Sequence, residues 1–211
     1  MRVMATWIGN SGDIGNWGTP EELNTPAHLI IGSAILARPN VAAVNAAAIA
    51  GSLIPDLSLY LLTFHALLVQ GHSANHVFDV LYFSPQWQRI FAIDNSLFVW
   101  MAVLVAGLLV RQCWVQVLGI AGMLHVAFDF LLHNDDAHQH FWPLSEWVFR
   151  SPVSYWDQAY YGDMFSVFEI ALCAVLSAFL WRRFRHVSSR IAIVVVMLFE
   201  LAPAVMFGAL L

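Results

Sequence analysis

The chain has 211 residues, of which 60% are hydrophobic and 11% charged, with a formal net charge of −5 and a mean hydropathy of +0.68. That composition excludes an ordinary soluble domain of this size and marks an integral membrane protein, so the lipid bilayer is its first expected partner. With no lysine and no clustered basic patch, nucleic acid is excluded as a partner.

Residues 1–24 read as a polar amino-terminal tail. It lacks a basic start and a long apolar core, so it is not expected to be a cleaved signal peptide. Residues 25–211 follow as a single transmembrane domain with no linker, repeat or low-complexity tract. A short apolar piece at about 26–37 ends at Arg38-Pro39-Asn40, where proline stops a helix, and reads as either a short first span or a re-entrant segment. Spanning helices of about 20 apolar residues are expected at roughly 41–63, 95–111, 113–133, 164–184 and 190–211. The fold class is therefore all-α, a polytopic bundle of five to six transmembrane spans.

Between the spans, residues 64–94 and 134–163 read as loops. His65, His72 and His76 in the first are expected to be solvated or interfacial. In the second, Trp142, Trp147, Tyr155, Trp156, Tyr160 and Tyr161 suit an aromatic belt at the headgroup level. Arg182, Arg183, Arg185 and Arg190 fall between the last two spans and Arg111 between the third and fourth, which places those loops inside and the two aromatic loops outside. Cys113 and Cys173 lie in apolar segments without CxxC spacing and read as small buried hydrophobes. Glu169 and Glu200 sit within the last two spans and need partners, in the chain or in a neighbouring subunit.

Under this topology His28, Asp56, Asp94, His125 and Asp129 all fall near one membrane face. Ionisable groups at membrane depth are costly and mark functional sites. His125 and Asp129 are four apart, so on a helix they share a face, and His133 extends the stripe. Such a pair suits two positions on a divalent ion, zinc or, with more carboxylates, manganese or magnesium. A His–Asp hydrogen bond joining two helices fits the same spacing. Asp56 follows Pro55, which frees a backbone carbonyl in its helix and makes a local polar pocket. Thr25 is placed to cap the helix that carries His28. Asp135, Asp136, His138 and His140 read as an aqueous loop, with His133 and Asp135 ranked above the others as further site candidates.

The motifs Asn24-Thr-Pro-Ala-His28-Leu-Ile-Ile-Gly, Gly51-Ser-Leu-Ile-Pro-Asp56 and His125-Val-Ala-Phe-Asp129, followed by Phe141-Trp-Pro-Leu-Ser145, resemble the bacterial membrane-bound metal-dependent hydrolases over about residues 24–145. The resemblance implies an inner (cytoplasmic) membrane protein whose metal ligands are His28, Asp56, His125 and Asp129. The family's HRGxTHS-like motif is missing: the matching region reads Arg89-Ile-Phe-Ala-Ile-Asp94-Asn95-Ser96-Leu97, without either histidine. The expectation is a metal-dependent hydrolase with zinc or manganese, a site near the periplasmic face, Asp94 or His133 as general base or orienter, and an ester or phosphoester of a lipid-like molecule as substrate. The alternative is a non-catalytic accessory subunit or assembly factor of a larger membrane complex.

Overall fold

A computed structural model describes residues 25–208 other than Trp156, with side chains as far as Pro203; the expected tail at 1–24 lies outside the described residues. Regular structure among the described residues is entirely helical. The main helices are α1 (Thr25–Leu36), α2 (Ala42–Phe64), α3 (Ala74–His76), α4 (Pro85–Asp94), α5 (Leu97–Leu109), α6 (Cys113–Leu132), α7 (Gly162–Arg183) and α8 (Val187–Gly208). Four stretches among the described residues are long and apolar enough to cross a membrane: Ala42–Val69, Pro85–Leu109, Cys113–Leu132 and Gly162–Arg183. Large apolar side chains such as Leu61, Leu109 and Val167 stand exposed on them. An apolar surface this extensive belongs in hydrocarbon, where helices satisfy their own backbone groups. The chain is a polytopic membrane-type helical bundle.

The described part of α1 has 12 residues, about 18 Å of helix at ~1.5 Å per residue, well short of a ~30 Å hydrocarbon core. It is instead the most enclosed helix, packed on α2, α6, α7 and α8. At its carboxyl end the Arg183 guanidinium donates to the carbonyls of Ala34 and Ala37, at 3.0 and 2.8 Å. These carbonyls have no partner within the helix, so the arginine closes it and fixes α7 against it. His28 lies eight residues from Leu36, about 12 Å away along the axis. The arginine and the histidine therefore lie toward opposite ends of α1.

The segment expected as the loop 64–94 is largely helical. α2 runs on through a π-helical turn at His65–Val69, and after α3 a second such turn covers Val77–Leu81. The local signals are polar caps: the Ser73 hydroxyl accepts from His76 N, and the Ser84 hydroxyl from Trp87 N with Pro85 at the first helical position. Val77, Tyr82, Trp87 and Phe91 bury a small apolar core there with Ala66. His65 and His72 are exposed and His76 is partly so. α4 and α5 together form one apolar stretch, interrupted at Asn95-Ser96, where the Ser96 hydroxyl accepts from Val99 N and caps α5.

α2 packs most extensively on α6. A Cβ at Gly51 would collide with the Leu118 carbonyl, lie 2.6 Å from Ala121 Cβ and lie 3.1 Å from Gly122 N. Small residues let the two backbones approach this closely, as is common between membrane helices. At the other side of the bundle, Cys173 is fully buried and hydrogen-bonds Glu200, with Glu169 nearby. Glu200 thus has a partner inside the chain.

A candidate metal centre at one end of the bundle

The close α2–α6 crossing sets the first feature of the site. The residue after Gly51 is Ser52, and its carbonyl oxygen lies 2.8 Å from His125 Nδ1. A carbonyl only accepts, so Nδ1 carries the hydrogen and the imidazole's other nitrogen turns away from it. That nitrogen, Nε2, lies 3.2 Å from Asp56 Oδ1 and 3.1 Å from Asp129 Oδ2. A bare ring nitrogen facing two carboxylate oxygens is an acceptor facing acceptors; a cation, either a proton or a metal ion, has to lie between them.

His28 enters from α1. Its Nε2 lies 2.9 Å from Asp129 Oδ1, and its ring stacks on that of His125 with centroids 3.7 Å apart and planes inclined by 19°. Two charged rings so close would repel by roughly 4 kcal/mol at an effective dielectric of ~20. The stack therefore favours at least one neutral ring. Neither His28 nitrogen makes a hydrogen bond of good geometry, although both are buried. Ligand atoms of His28, His125 and Asp129 all lie within 4.8 Å of one another, close to the spacing that one ion at about 2.1 Å from each donor imposes. A buried His28–His125–Asp129 group that can hold a metal ion is thus present.

Asp56 joins through His125 and is the more open side, its side chain 18% exposed. Its second oxygen accepts from the Thr25 hydroxyl, which in turn accepts from Tyr60 OH at 2.9 Å. Thr25, expected as a cap, instead ties the start of α1 to α2. The Pro55 carbonyl accepts from Asn95 Nδ2 at 3.4 Å, whereas the carbonyl that the proline leaves without its helical donor is that of Gly51, four residues earlier.

Beyond Leu132 the chain leaves the helix and His133 is extended, with φ −109° and ψ 134°. Its Nε2 lies 3.5 Å from Asp129 Oδ1 and its Nδ1 2.6 Å from Asp136 Oδ2. Burial opposes a charge on His133, but the carboxylates of Asp136 and Asp129 outweigh it and hold its pKa well above the usual histidine value. For Asp136 burial likewise works against ionisation, and His133 overcomes it and keeps the carboxyl below its usual range. His138 and His140 are also buried. Burial, then the neighbouring His133 and His140, pushes His138 down to about 4. His140 is lowered too, first by burial, while its Nδ1 donates to Asn95 O at 3.0 Å.

The loop is held in place by main-chain anchors. Ser151 N donates to His133 O at 2.9 Å, Asn134 Nδ2 to Ser151 O at 2.5 Å, and Leu97 N to His140 O at 2.9 Å. The rings of Tyr82 and Phe91 lie 6.2 and 5.5 Å from that of His138, and Tyr155 lies 5.1 Å from His133. Tyr155 is thus part of the buried site and not of an aromatic belt.

Of the expected ligands, then, His28, Asp56, His125 and Asp129 are brought together, and His133 stands beside them. Asp94 is not: it lies against Ser58 on α2, and no ion pair among the described residues links it to the site. Its neighbour Asn95 supplies the contacts instead, through its side chain to Pro55 and its carbonyl to His140. Asp135, ranked above Asp136 on sequence, is exposed and pairs with Arg150 at 3.2 Å. Asp136, His138 and His140, read as an aqueous loop, are the buried residues of that segment. No protein-family model, curated protein or solved structure matches this chain.

Proposed function

We propose that the protein is a metal-dependent hydrolase of the bacterial inner membrane, its site near the periplasmic face and its substrate an ester or phosphoester carried on a lipid-like molecule. The observation that carries this reading is His125 Nε2, its ring fixed by Ser52 O, aimed at two carboxylates. Metal-binding histidines are typically oriented this way, by donating the other ring N–H to a carbonyl or carboxylate. His28, His125 and Asp129 would hold the ion, with Asp56 on its more exposed side. Zinc or manganese suits such a nitrogen and carboxylate set, and when bound would supply a Lewis acid and an activated water.

The chain's own residues then have definite tasks. Asp56 faces the open side, so substrate enters past it and past Tyr60. His133 sits next to Asp129 with Asp136 on its Nδ1, an arrangement that orients the ring and favours its protonated form, so it can give up and take back a proton at Nε2. Tyr82, Phe91 and Tyr155 close the loop side against water. The end of α1 bearing His28 is opposite the Arg183 end, and arginine-rich ends face the cytoplasm; this supports a periplasmic opening.

The test is metal analysis of detergent-purified protein. The parent protein is expected to retain stoichiometric zinc or manganese through gel filtration and to hydrolyse a chromogenic ester or phosphoester. Asp129→Ala is expected to lose the metal, with affinity down at least 100-fold, and to lose turnover. Parent protein that binds no divalent metal would sink this reading.

A further inference from the structure

We infer that a groove at the arginine end of α1 binds an anionic phospholipid, with one acyl chain lying along α1 and the phosphate held by the arginines at the groove's mouth. The site is separate from the metal centre and does not depend on the hydrolase reading.

The groove lies where two helices are kept apart by a third. α1 packs on α2, α7 and α8, while α2 and α8 do not pack extensively on each other. A cavity of about 360 Å³ is left there, within the ~300–1,000 Å³ typical of small-molecule sites. Leu29, Ser33 and Ala37, each four apart and so on one face of the chain, line it from α1, with Ile49 from α2 and Ile193 and Val196 from α8. Ile49 is itself exposed, as are Ile191 and Val194 beside the groove on α8, so the groove opens sideways to hydrocarbon. Leu29 to Ala37 covers about 12 Å of helix axis, close to the ~15 Å that the chains of one leaflet occupy in a ~30 Å core.

Any lipid chain would satisfy that apolar lining; charge makes the choice. Arginines are bonded to the lining itself. Arg183 donates to the Ala37 carbonyl at 2.8 Å, and Arg190 Nε donates to the carbonyl of Phe184, another lining residue, at 3.3 Å. Arg38 follows Ala37 directly, and Arg182 and Arg185 are the next neighbours in sequence. Residues 26–55 and 174–199 hold these five arginines and no aspartate or glutamate. None of the five has a carboxylate partner among the described residues. An anion is what this end of the protein lacks.

Arg190 is fixed on two sides, by the Phe184 carbonyl and by the Trp181 ring, whose centroid lies 4.6 Å from its guanidinium carbon. A guanidinium ordered in advance binds phosphate without first losing its side-chain freedom. The polar lining matches the same polarity: Ser189 adjoins Arg190, and Asn45 Oδ1 accepts from Arg38 N at 2.7 Å, whereas Leu29, Ile30 and Val196 farther along are apolar. The groove thus has a cationic, polar mouth and an apolar body, the distribution of a phospholipid in reverse charge. Basic pockets between membrane helices hold anionic headgroups in this way.

The experiment is native mass spectrometry of the detergent-purified protein with phosphatidylglycerol or phosphatidylcholine of identical chains. One equivalent of phosphatidylglycerol is expected to stay bound, at least about tenfold more tightly than phosphatidylcholine, as several arginines near one anionic headgroup imply. Arg190→Gln is expected to weaken phosphatidylglycerol about fivefold, the factor that one arginine contributes. Ala192→Phe, which fills the groove, is expected to weaken both lipids. Glycerol 3-phosphate, a phosphate without a chain, is expected not to compete. Equal retention of the two lipids, or phosphatidylglycerol binding unchanged in either variant, overturns the proposal. Competition by glycerol 3-phosphate also overturns it, in favour of a site for free phosphate. A phosphatidylglycerol with a diazirine in its chain is expected to label Ile193 or Val196 of the parent protein, a result that requires no variant to fold. Label confined to residues outside the groove overturns the proposal, and so do crosslinks joining two chains through this face, which would place a second copy there.

Discussion

His28, Asp56, His125 and Asp129 are placed by three helices, α1, α2 and α6, whose small residues press their backbones together; His133, Asp136, His138 and His140 are placed by a loop held through individual hydrogen bonds and aromatic rings. The first half inherits its geometry from packing shared over many residues. The second depends on single contacts, each of which is removable. The helical half should therefore tolerate the loss of one polar partner in shape if not in chemistry, while the loop half should lose order when one anchor goes.

The largest expected effect is that of Asp136→Asn. Asp136 and His133 are both buried and 2.6 Å apart. Removing one partner of a buried pair costs about 3–5 kcal/mol, and because His133 lies 3.5 Å from Asp129 Oδ1, metal affinity is expected to fall with it. Thermal unfolding in detergent and metal titration are the measurements. A variant that melts and binds metal like the parent protein would show that the loop is held independently of this pair and would erase the contrast between the halves.

A smaller effect is expected from pH in metal-free protein. His138 has its pKa lowered to about 4, against ~6.5 in an unfolded chain. Between those values the unfolded chain takes up a proton that the folded one refuses, so stability falls as pH falls from about 6.5 toward 4. For this one group the loss at pH 5 is about 2 kcal/mol. His133, raised in the fold, is protonated in both states near the bottom of this window and adds little slope there. His138→Asn should therefore lose less of its melting temperature between pH 7 and pH 5 than the parent protein does. Equal losses would mean that His138 is wetter than its burial implies.

The two halves were also unequally legible. Hydropathy found the spanning helices, because a bilayer demands about 20 apolar residues in a row and little else in the sequence imitates that. The four-residue spacing of His125 and Asp129 reads directly as one helical face, and Pro55 marked Asp56. Counting along α6 stops at Leu132, since His133 is extended, and beyond it no period connects a residue's number to its direction. The polar residues from 134 to 140 have the same composition whether they face water or the site. What turned them inward was a set of main-chain anchors at Asn95, His133 and Ser151, which no local pattern announces. The 64–94 segment was misjudged for a related reason: its helices are short and aromatic, capped by Ser73 and Ser84, and too broken to show a long apolar run.

Asp135 gives the smallest effect and the finest test of the comparison, because it is joined by a peptide bond to Asp136 and has the same side chain. Its side chain is 58% exposed and its partner Arg150 67% exposed. An ion pair in that setting contributes between zero and about 1 kcal/mol, since water and salt already solvate both charges. Asp135→Asn is expected to leave metal content unchanged and melting nearly so, with the small difference vanishing at high salt. Neighbouring acids with opposite sensitivities would show that burial and an imidazole partner, and not the mere presence of a carboxylate in a histidine-rich loop, define the loop half of the site. A loss of metal in Asp135→Asn comparable to that in Asp136→Asn would instead mean that the loop acts as one diffuse negative patch, and the separate assignments of Asp136, His133 and His140 would fall together.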